Sequence, residues 1–138
     1  MTPRRLVLDT GVLYGFFDAD DALHHDTAVR GFTLLAAGNT RLIAPACVVL
    51  ETAKRLLFDI NASAMQTGVA AMLESLEVLD TTPETIQNAL ELIQSRGQWG
   101  ATLEDAMVIQ TALVLDAPVW TINYRDFSAV KTLRFWTP

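Results

Sequence analysis

Short apolar runs and longer segments of helical periodicity alternate along the chain. The short runs predict four strands, each ending at or just before a polar residue or a proline: residues 4–9, 41–44, 77–80 and 118–122. Residues 133–136 form a weaker fifth run. Because these runs are nearly all apolar, we expect strands that are covered by helices on both faces.

The segments between these runs have apolar residues at helical spacing and predict five helices, at residues 21–37, 46–59, 61–76, 83–97 and 103–116. Asp20 or Asp21 can cap the first helix, Gly38 closes it, and Pro83 stands at the first position of the fourth. A short helix or turn is expected after Thr10. Strands that alternate with helices form βαβ units, so the predicted fold class is α/β. We expect three α/β/α layers around a central parallel sheet of four to five short strands.

Length and composition place the chain among globular proteins. Its 138 residues fit one domain covering residues 1–138, and 51% hydrophobic against 19% charged residues excludes intrinsic disorder. The single cysteine, Cys47, fits a reducing compartment, so a cytoplasmic location is expected. No apolar run approaches the ~20 residues of a membrane span, so no membrane association is expected, and the N-terminal segment has too few apolar residues for a signal peptide.

The charge balance at first argues against a nucleic-acid partner. The chain has 10 Lys+Arg and 16 Asp+Glu, a formal net charge of −6, whereas nucleic-acid-binding proteins usually present a basic surface. The mean hydropathy of +0.27 points to an apolar patch outside the core, and such patches usually mark interfaces between protein chains. A homodimer fits this composition.

Carboxylates follow or face the carboxyl ends of the predicted strands, which is where ligands sit in parallel α/β sheets. Asp9 ends the first strand, while Asn123 follows the fourth and precedes Asp126 by three residues. Asp105 lies in the first turn of its helix, and the positions three, four and seven residues later are all apolar. Asp105 should therefore face the core, either as a helix cap bonded to backbone amides or as part of a cation site with Asp9.

Glu51 is ambiguous from local pattern. It lies on the side of helix 46–59 opposite the apolar stripe, between Lys54 and Arg55. This placement favours a solvated glutamate paired with the arginine four residues later.

Several chemistries are excluded by missing motifs. The chain has neither GxGxxG after Asp9 nor GxxxxGK[ST] anywhere, so the two common nucleotide-phosphate loops are absent. A lone cysteine excludes a cysteine-rich zinc site, and no G-x-S-x-G segment presents a nucleophile. Oxygen ligands remain, and these suit Mg²⁺ or Mn²⁺.

Three segments and the spacings between them carry a resemblance that covers nearly the whole chain. They read LVLDTGVLYGFFD, PACVVLETAKRL and TLEDAMVIQTALVLDAPVWTINYRDF. In this order they resemble the PIN-domain nucleases, and within them the VapC-type toxins of bacterial toxin–antitoxin pairs. The resemblance implies a PIN-like fold, a metal-dependent endoribonuclease activity on RNA, and a cognate antitoxin as a further partner.

The resemblance also assigns residues. It implies that Asp9, Glu51 and Asp105 are catalytic and bind Mg²⁺ or Mn²⁺, which overrides the local interpretation of Glu51. Asn123 matches the fourth catalytic position, in a T-x-[DN]-x-x-[DH]-F pattern. Thr10 matches the hydroxyl neighbour of the first acid.

Three further residues near these positions receive roles by the same resemblance. Asp126 supports the site in the fourth-position pattern, and Arg125 is the best placed side chain for contacting substrate phosphate. Glu104 stands before Asp105 where relatives often have an uncharged residue, either as a spare acid behind the metal ligands or as a surface residue, and we favour the surface.

Two alternatives to a nuclease remain open. Asn123 in place of aspartate lowers the negative charge of the site, so a catalytically weak or inactive domain that acts as a binding or scaffold module is one alternative. The other is an aspartate phosphoacceptor or phosphatase, because these also carry Asp at a strand end. The second fits poorly, since Thr10 and Gly11 stand where phosphatases require a second acid.

Overall fold

The computed structural model describes all 138 residues and is organised around a parallel sheet of four strands. The strands are β1 (Arg5–Leu8), β2 (Arg41–Pro45), β3 (Glu77–Leu79) and β4 (Val119–Trp120). Their order across the sheet is β3-β2-β1-β4, with every neighbouring pair parallel. The strand furthest along the chain therefore lies beside the first one.

Seven helices flank this sheet. In chain order they are α1 (Thr10–Phe17), α2 (His25–Ala37), α3 (Ala46–Asp59), α4 (Ala62–Ser75), α5 (Pro83–Gln94), α6 (Leu103–Leu115) and α7 (Tyr124–Phe127). α1 packs against α2 and α3, α3 also packs against α4, and α5 pairs with α6. Parallel strands enclosed by helices confirm the expected α/β class with a central parallel sheet of four strands.

The core is centred on β1, because this strand has neighbours on both edges and helices over both faces. Leu6, Val7 and Leu8 are completely buried. Trp120 of β4 is 3% exposed and packs against Phe32 and Trp136, with ring centroids 5.0 and 5.2 Å away. Such burial fixes the ends of β1 and β4, so the residues that follow these strands are held in place.

Element bounds differ from the predicted ones where backbone hydrogen bonds favour a turn. The carbonyl of Asp21 accepts from the amides of both His24 and His25, which makes residues 22–24 a turn and starts α2 four residues later than predicted. The predicted fifth strand is reduced to one parallel bridge between Val119 and Phe135. α7 was not predicted. It is only four residues long and begins at a cap supplied by Asn123.

None of the helices combines the length and the apolar character that crossing a bilayer requires.

Candidate active site

Asp9 lies at the carboxyl edge of the sheet, immediately after β1. Its carboxylate accepts a hydrogen bond from the backbone amide of Thr10 at 2.8 Å, so the aspartate caps the N-terminus of α1. The other carboxylate oxygen accepts from the Thr121 hydroxyl at 2.7 Å. Because Thr121 directly follows β4, this bond joins the ends of two neighbouring strands and fixes the direction of the Asp9 side chain.

Burial makes the ionised form of Asp9 costly. The residue is 6% exposed, and loss of solvation raises the pKa of its carboxyl group from 3.8 to about 6. The hydrogen bonds from Thr121 and Thr10 lower this pKa, whereas the negative charges of Asp105 and Glu51 raise it. The charges of both acids therefore act on Asp9.

Asp105 stands in the first turn of α6 and takes part in a capping box. Its carboxylate accepts from the Thr102 amide at 3.0 Å, and the Thr102 hydroxyl accepts from the Asp105 amide at 3.1 Å. The side chain is half-buried, and desolvation, followed by the charges of Asp126 and Glu104, raises its pKa. The capping interpretation is thus correct for its hydrogen bonds, while its charge also faces the neighbouring acids.

Glu51 is half-buried on α3 and forms no ion pair. The expected pairing with Arg55 is wrong, because the Arg55 guanidinium lies 3.8 Å from the centre of the Tyr14 ring instead. Glu51 raises the pKa of Asp9 through its charge and so belongs to the same edge of the molecule.

The segment after β4 is arranged by its own hydrogen bonds. The Asn123 amide donates to the Thr121 hydroxyl at 2.9 Å, and the Asn123 side-chain oxygen accepts from the Asp126 amide at 3.4 Å. Asp126 is 7% exposed, and its carbonyl accepts from the Trp99 indole at 2.9 Å. The Asn123 side-chain oxygen therefore caps α7. The carboxylate in this segment is that of Asp126.

Arg125 lies at the rim of this edge. Its side chain is 88% exposed and pairs with the Asp126 carboxylate at 3.5 Å. An exposed pair of this kind contributes little to stability, about 0–1 kcal/mol. The guanidinium is therefore available to other anions.

Sequence reasoning missed two residues of this edge. Thr121 lies inside the predicted strand 118–122, and its place as the first residue of the T-x-[DN]-x-x-[DH]-F pattern, two residues before Asn123, could have signalled a role. Glu104 was expected at the surface but is half-buried. Its charge contributes to the raised pKa of Asp105, and with burial it raises the pKa of Cys47 to about 11.

The oxygen ligands at this edge are of the type that a hard divalent cation binds, but their positions do not enclose a cation. The available groups are carboxylates, and the Thr10 hydroxyl oxygen is buried without any hydrogen-bond partner. A cation would also offset the repulsion between Asp9 and its neighbouring acids. In the present arrangement, however, no three Asp, Glu, His or Cys side chains lie close enough to share one ion. The carboxylate of Asp105, for example, remains bound to the Thr102 amide.

Comparison with known families identifies the class to which this arrangement belongs. Residues 6–133 match the model of the PIN domain, so the chain belongs to the PIN domain family. No curated protein matches the chain in sequence.

Solved structures agree with this class. VapC20 of Mycobacterium tuberculosis, a sarcin-ricin loop cleaving toxin, has a TM-score of 0.82 at 20% identity, with 96% of this chain and 99% of that chain covered. VapBC2 of Rickettsia felis, bound to a DNA fragment from its promoter, gives 0.73 at 18% identity, with 96% and 97% covered. VapBC-1 of nontypeable Haemophilus influenzae gives 0.68 at 16% identity, with 96% and 97% covered. At these identities the likeness establishes the fold.

Replacing Asp9 by asparagine should stabilise the protein at neutral pH. Between pH 3.8 and about 6 the folded chain keeps a proton that the unfolded chain has lost, so the free energy of unfolding falls as the pH rises through this range. At pH 7.5, keeping the Asp9 carboxylate ionised in the folded chain lowers the free energy of unfolding by about 3 kcal/mol at most. We expect Asp9→Asn to raise the free energy of unfolding by about 1–3 kcal/mol at pH 7.5 and not at pH 3.5.

The measurement is urea unfolding at both pH values in buffer containing EDTA. Asp20→Asn, which changes an exposed aspartate, serves as the control and should show no pH-dependent gain. If Asp9→Asn changes the free energy of unfolding by the same amount at pH 7.5 and at pH 3.5, the assigned cost of burying this charge is contradicted.

Removing the Thr121 hydroxyl should raise the pKa of Asp9 further. The hydrogen bond from Thr121 stabilises the carboxylate form, and bonds to charged groups contribute about 1.5–3 kcal/mol. In Thr121→Val we expect the pKa of Asp9 to rise from about 6 to about 7 or above, whereas Thr121→Ser should restore it. Titration of the Asp9 carboxyl carbon by NMR measures this directly, and an unchanged pKa in the valine variant would contradict the role of Thr121.

Proposed function

We propose that the protein is a metal-dependent endoribonuclease that hydrolyses RNA phosphodiester bonds. The observation that carries the proposal is the buried carboxylate of Asp9 at the carboxyl edge of a PIN fold, with the charges of Asp105 and Glu51 raising its pKa. Keeping like charges together in a buried place costs stability unless a cation binds among them. Such a loss of stability is typical of a functional site.

The proposed metal ligands are Asp9, Glu51 and Asp105, with Mg²⁺ or Mn²⁺ as the ion. When bound there, a divalent ion supplies charge stabilisation for the phosphodiester and a water of lowered pKa for in-line attack. Asp105 would exchange its hydrogen bond from the Thr102 amide for the ion. The Thr10 hydroxyl, which has no partner, is available to a water at the same place.

The remaining site residues orient the ligands and the substrate. Thr121 holds Asp9 in one direction and accepts from the Asn123 amide, so a single hydroxyl connects the first acid to the loop after β4. Asn123 then fixes the start of α7, which presents Asp126 inward and Arg125 outward. We assign Asn123 and Asp126 to positioning and Arg125 to contact with a substrate phosphate.

We infer that single-stranded or looped RNA is the substrate, because hydrolysis needs an accessible backbone. With a net charge of −6, RNA binding at the acidic site should be weak, dependent on the metal and sensitive to salt.

The similar structures include a sarcin-ricin loop cleaving toxin, two VapBC structures and a toxin–antitoxin complex from Klebsiella pneumoniae. By this likeness we propose that the protein is the toxin of a toxin–antitoxin pair, with a cognate antitoxin as partner.

A second candidate function is a binding module of the same fold without catalysis. Two observations favour it: the fourth position is Asn123, whose side-chain oxygen serves as a helix cap, and no three acids share an ion in the present arrangement. Cleavage separates the two candidates.

The nuclease proposal predicts cleavage of single-stranded RNA by the purified chain in Mn²⁺ or Mg²⁺ and none in EDTA. Asp9→Asn should lower the rate about 100-fold or more, because a metal contributes several kcal/mol to the transition state. Asp20→Asn should cut at the wild-type rate. Cleavage that persists in EDTA, or that survives in Asp9→Asn, would overturn the mechanism, and binding of Mn²⁺ without cleavage would support the binding module.

We also propose that the chain forms a homodimer through α3. This helix exposes two large apolar side chains, Leu50 at 70% and Phe58 at 74%, and exposed apolar clusters mark interfaces. Leu50→Lys/Phe58→Lys should sediment as a monomer at concentrations where the wild type sediments as a dimer, because buried lysines at an interface are strongly unfavourable. Leu23→Lys, which changes an exposed leucine in a turn, is the control. A dimer that survives the double substitution would place the interface elsewhere.

A further inference from the structure

Four arginines surround one cavity at the edge of the sheet opposite the acids. We call it the arginine cavity, and its volume is about 590 Å³. Its charged lining consists of Arg4, Arg5, Arg41, Arg134 and one acid, Asp116. Four of the ten basic residues of an acidic chain therefore line a single cavity.

The arginine cavity is separate from the proposed active site. Arg5 is the first residue of β1 and lies opposite Arg41, the first residue of β2. Asp9 follows the last residue of β1, so about 13 Å of strand separates the two sites at 3.3 Å per residue. Parallel strands thus collect arginines at their amino ends and carboxylates at their carboxyl ends.

Neighbouring acceptors hold three of the guanidinium groups. Arg5 donates to the Leu115 carbonyl, and Arg41 donates to the Glu77 carboxylate at 2.6 Å. Arg134 donates to Asp116, at 2.7 Å to its carbonyl and 3.1 Å to its carboxylate. Each of these contacts uses one guanidinium nitrogen, and a guanidinium has five N–H donors. The groups are therefore oriented while most of their donors remain free.

The Arg4 side chain makes no hydrogen bond or ion pair, and the residue is exposed. Of the four positive charges that line the cavity, Asp116 offsets one and Glu77, just outside it, offsets another. A positive excess remains in a chain whose net charge is −6. The bonds from Arg5 and Arg134 to carbonyls at the end of α6 use part of this charge in the fold, whereas the Arg4 guanidinium has no such use.

The lining favours phosphate over other anions. Alanine and two prolines complete it, and no aromatic ring is present to hold a base or an apolar side chain. Planar guanidinium groups match phosphate oxygens two at a time, and several of them around one cavity suit a ligand with several adjacent charges. A cavity of this volume accommodates such a chain.

We propose that the arginine cavity binds an oligophosphate, either as a free anion or as consecutive phosphates of an RNA backbone. The site is independent of the proposed nuclease activity, because it lies at the other edge of the sheet and uses none of the acids. Binding there is measured without catalysis, so the two proposals succeed or fail separately.

The test is isothermal titration of the full chain in EDTA with two probes, inorganic tripolyphosphate and a single-stranded RNA that has a 5′-hydroxyl end. Arg4→Ala/Arg41→Ala should weaken binding of the probes about tenfold or more. This double variant should still fold, because neither side chain holds the fold together. Arg30→Ala/Lys131→Ala removes the same charge from outside the cavity and should change the affinity by about twofold at most. Glu77→Gln, which releases Arg41, should strengthen binding.

The two probes distinguish the source of the phosphates. Loss of tripolyphosphate binding alone in the arginine variant assigns the cavity to a free anion, and loss of RNA binding assigns it to the backbone. The proposal is overturned if the wild type binds neither probe or if the arginine and control variants weaken binding equally. Tighter binding of a polyglutamate peptide than of tripolyphosphate would also overturn it and assign the cavity to an acidic protein segment.

Discussion

The buried carboxylate of Asp9 is the constraint on which the carboxyl edge of this molecule depends. Its bond from Thr121 joins the ends of β1 and β4, and its bond from the Thr10 amide starts α1. Both bonds stabilise the ionised form, yet burial and the neighbouring acids still raise the pKa to about 6. The fold therefore keeps the Asp9 carboxylate buried at an energetic cost. The rigid strand β1, which ends just before Asp9, allows the fold to tolerate that cost.

The same constraint explains why the surrounding hydrogen bonds are organised as they are. A carboxylate that has only two donors keeps lone pairs free for another ligand, and the orphaned Thr10 hydroxyl lies next to it in the chain. Asp105, by contrast, is bound to the Thr102 amide. The first acid is thus fixed in advance, whereas the third has to exchange partners before it can serve a cation.

The fold was largely predictable from the sequence, and the site only in part. Apolar runs and helical spacing predict the strands and the long helices, and a strand end is enough to place Asp9. The surroundings of Glu51 were not predictable from the helix pattern, because its expected partner Arg55 packs over Tyr14 of α1 instead. Thr121 acts across 112 residues of chain, and α7 depends on an Asn123 cap and on Trp99. These are tertiary contacts that local periodicity does not encode.

Net charge is a poor guide to partners in this protein because its charges are segregated. The strands run parallel, so the first residues of β1 and β2 contribute arginines to one edge, while Asp9 lies at the other edge, where the charges of Asp105 and Glu51 act on it. About 13 Å of strand lies between them, which exceeds the ~8 Å Debye length at physiological salt. Through solvent, the arginines therefore do little to relieve repulsion between the acids and an RNA backbone. In the proposed nuclease, that relief would come from a cation bound at the acids themselves.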